Sequence, residues 1–223
     1  MTQDSEGDGA RNRFIDLTIP IAHGMDAFPG EPTARFTPFS THQDSGIEMW
    51  SVDIFSQLGT HVDAPSHFIA GGPTNERLPL ESMIGRVAVV DVTAAPGTPL
   101  TAAHLADSIQ RIRSAGRVIL RSGWDTRLGT SAYWEGFAEM TPEAAELLVE
   151  AGVRFVGIDT PTPSLTHLHD VHRILLGAGC VLAECLVNTA ELSAESFVIC
   201  LPLPLVGIDG APARIIAMEP LRD

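Results

Sequence analysis

The sequence is organised around residues 57–68, which read Q-L-G-T-H-V-D-A-P-S-H-F. Gln57, His61, Asp63 and His67 all occupy odd-numbered positions in this stretch. Successive side chains of a β-strand point to opposite faces, so a strand through Gln57 to Asp63 would place its donors on one side. The stretch therefore predicts three potential metal ligands, Gln57, His61 and Asp63, that converge within one short segment.

Two residues with unusual backbone properties shape this stretch. Gly59 has no side chain, so a ligand or another backbone segment can come close to it. Pro65 cannot continue the hydrogen-bonded ladder after Asp63, so we expect His67 to leave the strand and turn back over the site. Imidazole and carboxylate donors without a thiol indicate zinc, manganese or a similar divalent ion. The alternative is a half-buried edge strand whose histidines only satisfy local hydrogen bonds.

Composition and charge limit the classes of function. The chain has 223 residues, 44% of them hydrophobic, which suits one domain with a well-buried core. The formal net charge of -14 argues against nucleic acid or an anionic membrane as a partner, because both require a basic surface. All 14 basic residues are arginine. The lack of lysine excludes a Schiff-base lysine, a pyridoxal-phosphate anchor and the lysine of a phosphate-binding loop.

Targeting and redox signals predict a cytoplasmic protein. No apolar run approaches the length of a membrane span, and the acidic, polar N-terminus lacks the basic and apolar regions of a signal peptide. We expect residues 1–12 to form a disordered leader and residues 13–223 to form the domain. The cysteines show no C-x-x-C spacing and lie in apolar surroundings, which is typical of buried thiols in a reducing compartment: Cys180, Cys185 and Cys200.

The hydrophobic pattern indicates an α/β fold. The first third of the chain is predicted to be mainly β, from a strand at F-I-D-L-T-I-P-I to the ligand stretch at its end. From Arg86 onward, strands alternate with helices. The predicted elements are a strand at 87–92, a helix from Thr101 to about Ala115, a strand at 117–121, a helix capped by Thr141 with Pro142 at its first position and Gly152 beyond its end, a strand at 153–159, a helix from about His169 to Gly177, and strands near 181–186, 197–201 and 213–218.

A second cluster of polar residues lies between positions 167 and 184. His172 is expected near the start of a helix, and Glu184 lies inside the apolar strand V-L-A-E-C-L. A carboxylate in such a strand is costly to bury unless it is paired or bound to a cation. Glu184 is therefore the most informative residue outside the first motif. A structural ion pair with Arg173 or Arg121 is the alternative.

Three other polar residues are weaker candidates. We interpret His167 and His169 as loop or cap residues rather than ligands. Asp159 ends a predicted strand in G-I-D-T-P. It is either functional, because ligands often lie beyond the carboxyl ends of strands, or the cap of the following turn.

Two stretches carry a resemblance to a known family. G-T-H-V-D-A-P-S-H-F at 59–68 and H-R-I-L-L-G-A-G-C-V-L-A-E at 172–184 resemble the cyclase family of metal-dependent hydrolases, which includes bacterial kynurenine formamidase, isatin hydrolase and a trans-dienelactone hydrolase. Supporting stretches are D-L-T-I-P with F-P-G-E, L-R-S-G-W at 120–124 and V-G-I-D-T-P-T-P-S at 156–164. The resemblance implies a single α/β domain with a central mixed β-barrel-like core flanked by helices. It also implies a homodimer or homotetramer.

The resemblance further implies roles for individual residues. It makes His67 the catalytic histidine and lets Asp63 bridge two ions. Gln57 departs from the family pattern, because it stands where kynurenine formamidases have a histidine ligand. An amide oxygen is a neutral, weaker donor that suits Mn²⁺ or Mg²⁺ better than Zn²⁺, so Gln57 either coordinates or holds a metal-bound water. One manganese ion and two zinc ions are both open. The metal ligands implied besides Gln57 are His61, Asp63, His172 and Glu184.

The expected activity is hydrolysis of a small amide, lactam or lactone by metal-activated water, with His67 as general acid or base. We expect a small aromatic or cyclic substrate. Core packing is the alternative role for each aromatic residue that could stack on it. Two rival functions are a polyketide-type cyclase or dehydratase that uses the same metal, and a non-catalytic metal-binding module with a degenerate site. The candidate substrate-binding residues are Phe28, Trp50, Phe68 and Trp124.

Overall fold

The computed structural model describes residues 12–220 of the chain. Its strands are β1 (Asn12–Asp16), β2 (Arg35–Ser40), β3 (Met49–Asp53), β4 (His61–Asp63), β5 (Ile84–Asp91), β6 (Pro99–Leu100), β7 (Val118–Arg121), β8 (Glu139–Met140), β9 (Phe155–Ile158), β10 (Val181–Glu184), β11 (Glu195–Pro202) and β12 (Gly210–Pro220). Its α-helices are α1 (His42–Ser45), α2 (Leu80–Met83), α3 (Ile109–Ala115), α4 (Pro142–Glu150) and α5 (Leu168–Gly177). Short 3-10 helices include Pro65–His67 and Ala102–Ser108.

The central sheet closes into a mixed barrel. Its strand order is β12-β11-β5-β7-β9-β10-β4, and β4 also pairs with β12. The pairings β5–β7, β7–β9 and β9–β10 are parallel, and the other pairings of the barrel are antiparallel. Strand β1 extends the sheet beyond the barrel by pairing with β12. The predicted single α/β domain with a barrel-like core is confirmed.

The parallel strands are apolar on both faces, and each face packs into a different hydrophobic core. Val87 and Val89 of β5 pack with residues from the other barrel strands, inside the barrel. Ala88 and Val90, on the opposite face, pack with apolar residues of α4 and α5, such as Leu148. Strands that are buried on both faces read as continuous apolar stretches, which explains why V-A-V-V is so apolar.

Helix α4 begins and ends where the sequence predicts. The hydroxyl of Thr141 accepts a hydrogen bond from the Ala144 N–H, Pro142 occupies the first helical position, and Gly152 follows with φ +76°. The helix predicted from Thr101 to Ala115 differs, because its first half is the 3-10 helix that precedes α3. Its short polar residues, such as Asp107 and Ser108, favour caps and turns over helix interiors.

The structure moves two boundaries that the sequence predicts in the first third of the chain. The predicted strand from Gln57 to Asp63 is wrong in extent, since β4 begins only at His61. Residues 56–60 form turns and bends, and Gly59 has φ +63°, which interrupts extended pairing. Of the leader predicted at residues 1–12, residues 1–11 lie outside the described part of the chain, and Asn12 is the first residue of β1.

Strands β2 and β3 form a separate two-stranded ribbon. All residues of β3 are exposed, including Trp50 and Val52.

The three cysteines are free and buried, as predicted. No helix within residues 12–220 combines the length and the apolar character needed to cross a membrane.

Candidate metal centre

Strand pairing brings the two sequence motifs together. Strands β4 and β10 are antiparallel neighbours, and Glu184 lies directly opposite His61. Asp63 is two residues beyond His61, so it projects from the same face of β4. His172 reaches this cluster from the buried face of α5. All four side chains are at most 6% exposed.

The four side chains form a closed ring of alternating nitrogen and oxygen atoms. The His61 Nε2 atom lies 3.6 Å from Asp63 Oδ1 and 3.4 Å from Glu184 Oε2. The His172 Nε2 atom lies 3.6 Å from Asp63 Oδ2 and 3.4 Å from Glu184 Oε1. Ligand atoms about 2.1 Å from a tetrahedral ion are roughly 3.4 Å apart, so these distances match neighbouring ligands of one ion.

Hydrogen bonding around the ring fits a bound cation. His61 donates its Nδ1 proton to the Gly59 carbonyl at 2.8 Å, and His172 donates its Nδ1 proton to the Leu168 carbonyl at 2.6 Å. Both Nε2 atoms are then free to bind a metal, as in typical metal sites. Both carboxylate oxygens of Asp63 and Oε1 of Glu184 are buried without a hydrogen-bond partner. A buried carboxylate without donors is costly, and a divalent cation is the group that would compensate it.

The charges of the cluster are strongly coupled. Burial opposes protonation of His61, but the facing Glu184 and Asp63 carboxylates raise its pKa to about 9 and also raise that of His172. Burial and the nearby Glu184 carboxylate raise the pKa of Asp63 to about 6. Burial opposes ionisation of Glu184 as well, but the two imidazoles lower its pKa to about 2. The two carboxylates thus favour positive charge at the centre of the ring.

A carboxylate that the sequence analysis missed holds two of the candidate residues. Asp209 Oδ2 accepts hydrogen bonds of 3.0 Å from Gln57 Nε2 and from His67 Nδ1. The Oε1 atom of Gln57 is buried and has no partner. Asp209 immediately precedes Gly210, which pairs with Asp63 across β12 and β4. Its only local signal is the turn dipeptide D-G, and the long-range register that brings it to the site is not visible in the sequence.

A cavity of about 230 Å³ opens beside the ring of ligands. His67, Phe28 and Phe68 line it, as do His61, His172 and Glu184. His67 belongs to the 3-10 helix after Pro65, so the predicted turn back over the site is confirmed. Phe68 stacks on the His172 ring at 4.1 Å and 18°, which fixes the orientation of that imidazole. Drug-sized sites are about 300–1,000 Å³, so this cavity suits a smaller molecule.

The structure does not bring the other two predicted aromatic residues to this cavity. Trp50 lies on the β2–β3 ribbon, is 52% exposed and donates its indole N–H to Glu48. Trp124 is buried in a separate cluster, where its indole N–H donates to the Tyr133 carbonyl at 2.7 Å. Trp134 lines the cavity instead, with its ring 5.9 Å edge-on from Phe28. Trp134 is a single aromatic residue in a loop, and no sequence pattern around it predicts its position at the cavity.

The remaining polar candidates have structural partners. Asp159 accepts hydrogen bonds from the backbone N–H groups of Ser122 and Gly123, so it caps that turn and lies outside the cavity lining. The ion pair considered for Glu184 is not formed with Arg121, because Arg121 binds Asp91 at 2.6 Å. His169 lies edge-on to Phe68 at 5.4 Å, outside the ligand ring.

Comparison with known proteins places the chain in a family. The Cyclase family model matches residues 15–164. A kynurenine formamidase from Salinibacter ruber is 30% identical over 212 residues, which cover 92% of this chain and 97% of that protein. The solved structure of isatin hydrolase A from Labrenzia aggregata, bound to benzyl benzoate, has a TM-score of 0.79 and 26% identity and covers 94% of both chains.

A solved structure from Bacillus stearothermophilus, described as a predicted metal-dependent hydrolase, gives the same picture. It has a TM-score of 0.79 and 27% identity, and the match covers 94% of this chain and 99% of that one. The family match, the barrel and the His–Asp–Glu ring agree with the resemblance seen in the sequence. The chain therefore belongs to the Cyclase family of metal-dependent hydrolases.

Proposed function

We propose that the protein hydrolyses the C–N bond of a small amide or cyclic amide, with a divalent metal held by His61, Asp63, His172 and Glu184. The observation that carries this proposal is the buried ring of four ligand side chains with unsatisfied carboxylate oxygens, beside an aromatic cavity that contains His67. The names of two relatives, kynurenine formamidase and isatin hydrolase, support aryl formamides and lactams as the substrate class.

Two imidazoles and two carboxylates suit Mn²⁺ or Zn²⁺. Ligand atoms of His61, Asp63 and Glu184 lie within 4.8 Å of one another, which supports one ion at these residues, with the His172 imidazole beside the two carboxylates. Such an ion, when bound, polarises a carbonyl and lowers the pKa of water. Gln57 is a further donor: Asp209 holds its amide nitrogen, so its oxygen remains free. The amide oxygen favours Mn²⁺ over Zn²⁺ at this position.

His67 is the proposed general acid and base. The Asp209 carboxylate accepts the Nδ1 proton of His67, which leaves Nε2 as the nitrogen that can exchange a proton. Phe68 packs edge-on against the same ring at 4.6 Å. The imidazole is thereby oriented before substrate binds, and Nε2 can deliver a proton to the leaving nitrogen.

We also propose that the protein is a homo-oligomer. The β2–β3 ribbon supports this, because Phe39, Trp50 and Val52 are 76%, 52% and 55% exposed. An isolated two-stranded ribbon with an apolar surface is marginally stable in water, and a second copy of the chain would cover it.

The test compares the His67→Ala variant with wild type, using formanilide and isatin as substrates after loading with Mn²⁺ or Zn²⁺. We expect the variant to lose about 10²–10⁴-fold in kcat and to retain its metal. The control is His42→Ala, which removes an exposed histidine of α1. Full activity of His67→Ala would sink the assigned role. Hydrolysis of either compound must place one oxygen of ¹⁸O-labelled water on the acyl carbon of the product, and a metal-loaded wild type that converts neither compound would contradict the proposed reaction.

A further inference from the structure

We infer that the cavity selects aryl amides that carry a cationic group and rejects those that carry a carboxylate, with Glu31 as the specificity-determining residue. This inference rests on the proposed amide hydrolysis and names its substrate class. The observations are the position of Glu31, the absence of a hydrogen bond or ion pair to its side chain within residues 12–220, and the distribution of lysine, arginine and carboxylates around the cavity.

A tight turn fixes Glu31 at the cavity. The Glu31 N–H donates to the Phe28 carbonyl at 2.9 Å, and Pro29 and Gly30 form the centre of the turn. Gly30 has φ +95°, which a proline–glycine turn of type II requires. Phe28 and Glu31 are thus the first and last residues of one rigid turn, and both line the cavity. An aromatic ring packed on Phe28 would bring its substituents close to Glu31.

The Glu31 carboxylate lies within electrostatic range of the site but is not bound by a side chain: burial and the Glu184 carboxylate raise its pKa, and His61 and His67 oppose this shift. Its side chain makes no hydrogen bond and no ion pair with any residue from 12 to 220, and it is exposed. The other acidic groups near the cavity are engaged: Asp63 and Glu184 face the two ligand histidines, and Asp209 binds His67 and Gln57. Glu31 is therefore the acidic residue that remains available to a ligand.

Lysine and arginine are missing from the described lining of this cavity. The chain contains no lysine, and no arginine in the described part of the chain lines the cavity. A divalent ion in the ring would offset the Asp63 and Glu184 charges, and Glu31 would remain a carboxylate that no described side chain binds. A substrate carboxylate at this end would meet a like charge without a counter-ion, whereas an ammonium group would find its partner.

The experiment uses three formanilides that share one reacting group and differ only at the para position: aminomethyl, ethyl and carboxymethyl. The methylene spacer keeps the electronic effect on the amide similar. We expect kcat/KM of the metal-loaded protein at pH 7.5 to be at least about tenfold higher for the aminomethyl than for the carboxymethyl compound. The Glu31→Gln variant is expected to bring this ratio close to one, and Glu31→Arg is expected to invert it.

The matched control is Glu150→Gln, which removes one exposed negative charge at the end of α4 and should leave the ratio unchanged. A wild-type preference for the carboxymethyl compound, or a ratio that Glu31→Gln does not change, would overturn the inference. Calorimetry also measures the binding of the three compounds, and this readout is independent of whether they are hydrolysed. Glu31-dependent preference for the aminomethyl compound without any hydrolysis would retain the selectivity and refute the proposed reaction.

Discussion

At the residue scale, Asp209 determines how two functional side chains are presented. One carboxylate oxygen accepts hydrogen bonds from His67 Nδ1 and Gln57 Nε2, which fixes the orientation of both side chains. Burial opposes ionisation of Asp209, but hydrogen bonds from Gln57 and Ser56 lower its pKa, and it remains a carboxylate at neutral pH. The proton of His67 is thereby fixed on Nδ1.

We predict that Asp209→Ala lowers kcat by about 10–100-fold, because His67 loses its preferred tautomer and orientation. The metal content should remain that of wild type, since the ligand ring is intact, and KM should change little. A ¹⁵N NMR spectrum of the histidines should show a mixture of tautomers for His67. Unchanged kcat together with an unchanged His67 signal would refute this positioning role.

The residue scale also shows what the sequence can predict. The alternation of His61 and Asp63, and a carboxylate at Glu184 inside an apolar strand, are local patterns with a direct chemical meaning. Asp209 and Trp134 have no such pattern, because their roles depend on the chain around them. For the same reason Trp50 and Trp124 looked equivalent to Phe28 and Phe68 until the fold separated them.

At the element scale, strand β12 closes the barrel by pairing with β4 and also pairs with β1. Glu219 near its end is 3% exposed and joins three segments. Its carboxylate accepts hydrogen bonds from the Ser193 N–H at 2.6 Å, from Ser196 and from Arg13 at 3.2 Å. Burial would raise the pKa of Glu219, but these donors lower it below its usual value.

A lowered carboxyl pKa gives stability that is present above the unfolded-state pKa and is lost as pH falls through the folded-state pKa. We therefore predict that Glu219→Gln lowers the free energy of unfolding by about 1–3 kcal/mol at pH 7 and that this difference shrinks below about pH 4. Denaturant unfolding across this pH range measures it. Glu195→Gln, an exposed change on β11, is the control, and a pH-independent difference would contradict the account.

Elements defined by local signals could be predicted closely, and elements defined by pairing could not. Helix α4 has a threonine cap, a proline at its first turn and a glycine beyond its end, and all three act within a few residues. Strand β4 is short because its length depends on its partners β10 and β12, which are far away in the sequence. The turn at Gly59 removed Gln57 from the predicted strand, although Asp209 still brings it to the site.

At the scale of the whole molecule, closure of the barrel creates the site. Strand β4 pairs with β10 on one side and with β12 on the other. The first pairing joins His61 and Asp63 to Glu184, and the second brings Asp209 beside His67 and Gln57. The two pairings that close the barrel therefore also assemble the site. For this reason we expect metal binding to stabilise the closed fold.

The most direct test of this account is the metal content per chain, measured by elemental analysis of protein purified without added metal or chelator. We predict one equivalent of manganese or zinc in the wild type, a loss of most of it in Glu184→Gln, and full retention in Glu31→Gln, which changes the same cavity outside the ligand ring. Circular dichroism establishes that the variants are folded. A wild-type protein that contains no metal and cannot be loaded with Mn²⁺ or Zn²⁺ would contradict the account.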